Sequence, residues 1–128
     1  MLRYVASQLD QHLASMPNLP DVAWPNVEFT PDTTKVHLQV SYLPADGALY
    51  SMDYGQETPG IYQVSVAAPI GSGPGTAQDM ADGVRSHFAG QGKIGDVFIE
   101  AVNYGPAQFD DVWYVIPVSI NWRYFDNG

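Results

Sequence analysis

The end of the chain carries the tightest constraint on its fold. From Val112 to Phe125 apolar side chains alternate with their neighbours, so that Val112, Tyr114, Ile116, Val118, Ile120 and Trp122 face one way. A period of two over such a stretch marks a β-strand with one buried face. A strand this long also presents a long row of backbone donors and acceptors, and these demand partner strands. Pro117 stands in its middle and has no N–H to give to a ladder. That predicts a sheet edge, or a bulge at the proline.

The partners are visible upstream. Lys35 to Leu43 alternates with Val36, Leu38, Val40 and Tyr42 on one face, and Ile61 to Ala68 alternates with Tyr62, Val64 and Val66. Asp96 to Asn103 sets Val97, Ile99 and Ala101 against Phe98, Glu100 and Val102, and a short extended piece is expected around Val27 to Phe29. Two segments have helical spacing instead. Leu2, Val5, Leu9, Leu13 and Met16 share one face ahead of Pro17, and Ala77, Met80, Ala81, Val84 and Phe88 share another between Thr76 and Phe88. Thr76 and Asp79 have the spacing of a capping box, and Gly90 and Gly92 end the second helix. The order is α-β-β-β-α-β-β. Two amphipathic helices bury their stripes most economically on one face of a mostly antiparallel sheet. The expected fold is an α+β two-layer sandwich with a sheet of four to five strands, formed by residues 1–128 as a single domain.

Charge and cysteine content limit the function classes. The 14 acids outnumber the 5 bases, for a formal net charge of −9, while charged residues make up only 15% of the chain. The basic footprint of a nucleic-acid binder or of a protein drawn to anionic membranes is missing. The acids are distributed and form no tail. With no cysteine, disulfide scaffolds, thiol catalysis and Cys-based zinc sites are excluded. The amino-terminal segment is interrupted by Ser7, Gln8, Asp10, Gln11 and His12, unlike a secretory leader, and no apolar run reaches membrane-spanning length. Cytoplasmic production is the expectation.

Chemical motifs are weak. Gly71-Ser72-Gly73-Pro74-Gly75 precedes a helix but matches neither the dinucleotide fingerprint nor a P-loop, and Asp79 and Asp82 would repel a phosphate there. It reads as a chain-reversing turn. His12, His37 and His87 form no metal-ligand spacing, with His12 on the polar side of its helix. Asp53 and Glu57 share a loop and Asp110 and Asp111 are adjacent, yet they lack calcium-loop spacing and read as solvated turn acids. No serine stands in a nucleophile elbow. Neither an enzyme nor a cofactor or metal site is expected.

Aromatic residues give the better signal. Pro44 to Pro59 reads as a long loop, yet it holds Leu49, Tyr50, Met52 and Tyr54, and apolar loop residues either fold back on the core or meet a partner. Trp122, Arg123 and Tyr124 close the last strand, and these residue types dominate protein interfaces while also being ordinary strand residues.

Taken in order, VAWPNVEFTP, KVHLQVSYLPA, GIYQVSVAAPIGSGPGTAQDMADGVRSHF and DDVWYVIPVSINWRYF resemble the phage tail terminator-like family, related to the tail terminators of lambda-like siphophages. The resemblance covers nearly the whole chain. It implies a structural α+β subunit that assembles with copies of itself as a hexameric ring, with a monomer in isolation compatible with that. The ring caps the tail tube protein, ends tail growth and offers a surface to a head-completion protein. It also implies assembly in the host cytoplasm followed by residence in the virion tail, and no cofactor. Leu49, Tyr50, Met52 and Tyr54 are then contact candidates, with Trp122, Arg123 and Tyr124 as a second set. The acidic excess acquires a role as well: DNA passes a ring lumen without being held, because acidic walls repel phosphates. Two other readings stay open, another head–tail joining or tail-completion protein and a monomeric α+β module for a small ligand.

Overall fold

The computed structural model of the chain describes residues 2–44 and 57–125. Helix α1 (Leu2–Ala14) buries Val5, Leu9 and Leu13, and Met16 follows just beyond its end. Helix α2 (Pro74–Ala89) buries Ala77, Ala81, Val84 and Phe88. Both stripes therefore meet the core as their spacing predicts. The start of α2 is corrected. It begins at Pro74 after Gly73, whose φ of 89° needs a residue without a Cβ, and no side chain caps it. Thr76 is already inside the helix, and its hydroxyl bonds back to the Ser72 carbonyl at 3.1 Å. Proline in the first turn costs no backbone bond, because those N–H groups have no helical partner.

Among the described residues seven strands form one curled mixed sheet, more than the four to five expected. They are β1 (Asp21–Ala23), β2 (His37–Pro44), β3 (Glu57–Pro69), β4 (Lys93–Ile94), β5 (Val97–Tyr104), β6 (Gln108–Phe109) and β7 (Trp113–Phe125), in the order β1-β2-β3-β7-β5-β4 with β6 also on β7. Of these seven strands, β1 alone runs parallel to its neighbour. The additional strands are two or three residues long, too short to show a period. The extended piece expected at Val27–Phe29 is replaced by β1, because Asn26 has a φ of 58° and the Val27 N–H turns back to the Trp24 carbonyl.

Strand β7 is central, not an edge. All 13 of its residues pair with β3, while its other side is shared by β5 and then β6. Pro117 falls at the handover between those two partners. Its carbonyl accepts the Gly105 N–H at 2.8 Å, so its nitrogen also faces that side, beside the Gly105–Ala107 connection. The missing donor thus has no ladder to break. A Cβ on Gly105 would stand 2.7 Å from the Pro117 ring, so the close crossing depends on glycine.

The core lies between the helices and alternate residues of the sheet. Leu38 and Val40 of β2, Tyr62, Val64, Val66 and Ala68 of β3, and Ile116, Val118, Ile120 and Trp122 of β7 join both helices in one cluster. Burying each large side chain of this kind contributes roughly 1.5–3 kcal/mol. In β5 the alternation slips at a bulge between Ile99 and Ala101, so Val102 enters the core with Val97, where a regular strand would have placed Ala101.

The helices also meet through histidines. His12 and His87 stack with ring centroids 4.1 Å apart, and the Nε2–H of each donates to the other's carbonyl, at 2.7 and 2.6 Å. The imidazole expected on the polar side of α1 is thus half-buried against α2. His37 is buried on the opposite face of the sheet, between Phe29 and the edge of Trp113 at 5.3 and 4.7 Å. Burial pushes both His12 and His37 below the usual histidine range.

Candidate functional site

The strand registers set Trp122, Arg123 and Tyr124 at the end of the sheet where the described part of β2 stops and β3 begins. Pro44 pairs with Gly60, and Gly60 pairs with Trp122. Glu57 and Thr58 pair with Phe125 and Tyr124. The segment joining β2 to β3 therefore leaves and re-enters the sheet beside the end of β7. Leu49, Tyr50, Met52 and Tyr54 lie in that segment, outside the described residues.

The second set, Trp122, Arg123 and Tyr124, is split by strand alternation. Trp122 is 5% exposed and points into the core. Its indole lies over Gly60, where a Cβ would fall 2.2 Å from Cζ2. Tyr124 shares that face, half-buried, with its ring 5.5 Å from Tyr4 of α1. Arg123 alone faces away from the helices. Its Nε lies 2.7 Å from Glu100 Oε1. Glu100 is the extra residue of the β5 bulge, and so the bulge supplies the carboxylate that pairs with Arg123.

Around Arg123 the helix-free face combines apolar and neutral polar groups. Phe98 stands opposite it in β5, and Pro59 stands opposite it in β3. Leu43, two strands away, is 40% exposed and Phe98 39%. Beside Leu43 the same face presents Ile61 and Asn121, and the next row presents Ser41, Gln63 and Ser119, with no net charge. Lys93 lies over the Phe98 ring at 5.3 Å. Aromatic, aliphatic and arginine side chains with uncharged hydrogen-bonding neighbours form a surface suited to protein contact. Phe98 was detectable in advance, because a bulky apolar residue on the off-core register of its strand is a contact signal. Leu43 carried the same signal, since it falls on the face of its strand opposite Val36, Leu38, Val40 and Tyr42.

Of the remaining acids, Asp53 lies outside the described residues, while Asp110 and Asp82 have structural work. Asp110 Oδ1 accepts the N–H groups of Val112 and Trp113 at 2.8 and 2.7 Å, which holds its carboxyl below the usual range. It fastens the turn into β7. Tyr104 donates to Asp82, and Arg85 lies over the Tyr104 ring. The His12–His87 pair brings two histidines together, but among the described residues no three metal-ligating side chains converge. No helix among them is long and apolar enough to cross a membrane.

A family model of the phage tail terminator protein matches residues 4–122. The chain belongs to that family. Tail terminator family membership spans every element from α1 to β7 and makes this chain a structural component of the phage tail, in a family that is not enzymatic. Its family implies contacts with other tail and head components. Among solved structures, the chain resembles one at 26% identity and a TM-score of 0.63, covering 93% of this chain and 89% of the other. Among curated proteins nothing matches.

Proposed function

We propose that this chain caps the phage tail tube as a ring of copies of itself, hexameric when assembled, that it stops tube growth, and that it then offers a surface to a head-completion protein. The observation carrying this reading is a terminator-family match running through both helices and into β7. The sheet end around Arg123, Phe98 and Leu43, next to the roots of the 45–56 connection, is the proposed contact surface. Leu49, Tyr50, Met52 and Tyr54 are proposed to extend it, as in the contact role the resemblance implies. Assembly takes place in the host cytoplasm, and the protein then stays in the virion tail. It needs no cofactor and holds no DNA, although DNA passes through the ring. Part of the acidic excess is proposed to face that lumen, where carboxylates prevent the counterion-release binding a basic wall would create.

Tail length is the decisive readout. A phage lacking this gene is expected to make over-long tubes without heads, and supplying the chain in trans should restore a single tail length by electron microscopy. Tubes of normal length in its absence would overturn the capping role. A ring whose channel proved basic would overturn the lumen assignment alone.

A further inference from the structure

An open groove of about 410 Å³ runs between α1 and the turn that follows β1. Its walls include Asp10 and Ala14 of α1, Trp24, Pro25 and Val27 of the turn, and Tyr42 of β2. It lies on the helix side of the sheet, away from Arg123. Two features of it are unaccounted for by the fold. Val27 is 60% exposed, an apolar β-branched side chain left beside the half-buried Trp24. The other is the Asp10 carboxylate. Its Oδ2 accepts the Tyr42 hydroxyl at 2.7 Å and its Oδ1 accepts the Tyr62 hydroxyl at 2.6 Å. Both tyrosines are pushed upward by burial and by this carboxylate, so they stay neutral donors and fix its orientation. A carboxylate offers about four acceptor positions, so each oxygen keeps one in reserve.

We infer that this groove receives an arginine side chain from another protein, its guanidinium paired with Asp10 and its stem and plane laid against Trp24 and Val27. Arginine suits the site better than lysine. Its planar fork engages both oxygens of a held carboxylate and stacks on an indole, while a compact, strongly hydrated ammonium does neither as well. Charge argues for a different protein over a second copy. This chain has 5 bases against 14 acids, and three of the five, Arg85, Lys93 and Arg123, already lie on Tyr104, Phe98 and Glu100, which leaves a copy only Arg3 and Lys35 to offer. At a carboxylate-bearing groove on a chain of net charge −9, a basic partner is drawn in more strongly than another acidic copy. The inference rests on the proposed function only for where the partner is met, as a neighbouring tail protein.

The test is a titration of the full ¹⁵N-labelled chain with N-acetyl-arginine amide, followed by NMR, beside the uncharged N-acetyl-citrulline amide. Saturable shifts should gather at the Trp24 indole N–H and the Gln11 and Ala14 amides, about ten-fold weaker for the citrulline compound. Asp10→Asn should abolish them. Trp24→Ala, which leaves both tyrosine bonds in place, should weaken them several-fold and decides the matter if the first variant does not fold. Shifts spread over the other acids without saturation, an equal citrulline response, or unchanged binding by a folded Asp10→Asn would overturn the inference. So would concentration-dependent shifts at the same residues without probe, which would seat a second copy in the groove. Tail length plays no part in this readout, so its failure and the failure of the capping role are distinguishable.

Discussion

Gly60 and Trp122 form a cross-strand pair in which the indole occupies the space a side chain would need. Gly60→Ala forces that ring from its place, and chemical denaturation should show a loss of about 1–3 kcal/mol. The tighter Gly60→Val should lose more. The histidines carry the pH dependence. His12 and His37 have folded values below the ordinary 6.5, because burial disfavours their charged forms. The unfolded chain then binds more protons than the native one in the window just below 6.5. Their contribution is complete above that value and is lost as pH falls through the depressed native values. Thermal melts between pH 8 and about 5 should show a declining midpoint below 6.5, and His37→Phe should flatten part of the decline. A midpoint unchanged on acidification would contradict the buried, neutral assignment. The sequence placed His12 on a polar helix face, correctly for an isolated helix. The neighbour that covers it, His87, is 75 residues away in the chain and leaves no local trace.

At the level of elements, spacing revealed both helices and the four long strands, because burial of one face imposes a period on the side chains. It did not reveal who pairs with whom. Pro117 pointed to an edge because the general rule concerns a missing donor. The sheet meets that rule by changing partners at the proline, which no reading of β7 alone could disclose. The bulge in β5 was likewise hidden, since Ala101 and Val102 are both apolar and either could have faced inward. The candidate site was partly legible for the same reason. Arg123 was proposed as a contact by residue type, Phe98 was passed over although its register carried a signal, and Asp10 lay unremarked among helix residues until the two tyrosines converged on it. A prediction follows from the partner change. Gly105→Ala presses a methyl group against the Pro117 ring and should cost about 1–3 kcal/mol. Pro117→Val regains a donor with no acceptor arranged for it, and should change stability by less than about 1 kcal/mol. Urea titrations of the two variants test the contrast, and a large loss from the proline change would contradict the handover.

For the whole molecule, stability and assembly separate at Arg123. An exposed ion pair contributes about 0–1 kcal/mol to a lone chain. Arg123→Ala should therefore leave the melting midpoint nearly unchanged while reducing ring formation, read by native mass spectrometry and electron microscopy in the presence of tail tubes. Unimpaired rings would remove Arg123 from the contact surface. The position of β7 carries one more consequence, for the order of events during synthesis. It is the last described strand to be made, yet it lies between β3 and β5 and bonds along both sides. Until residues 113–125 emerge, β3 and β5 each hold an unsatisfied edge and the helices have only part of a surface to cover. The nascent chain is therefore an open intermediate that long-range pairing completes late, the regime in which folding is slow and exposed edges invite aggregation. Shortening the chain from its end by a single strand would remove the seam that joins its two halves.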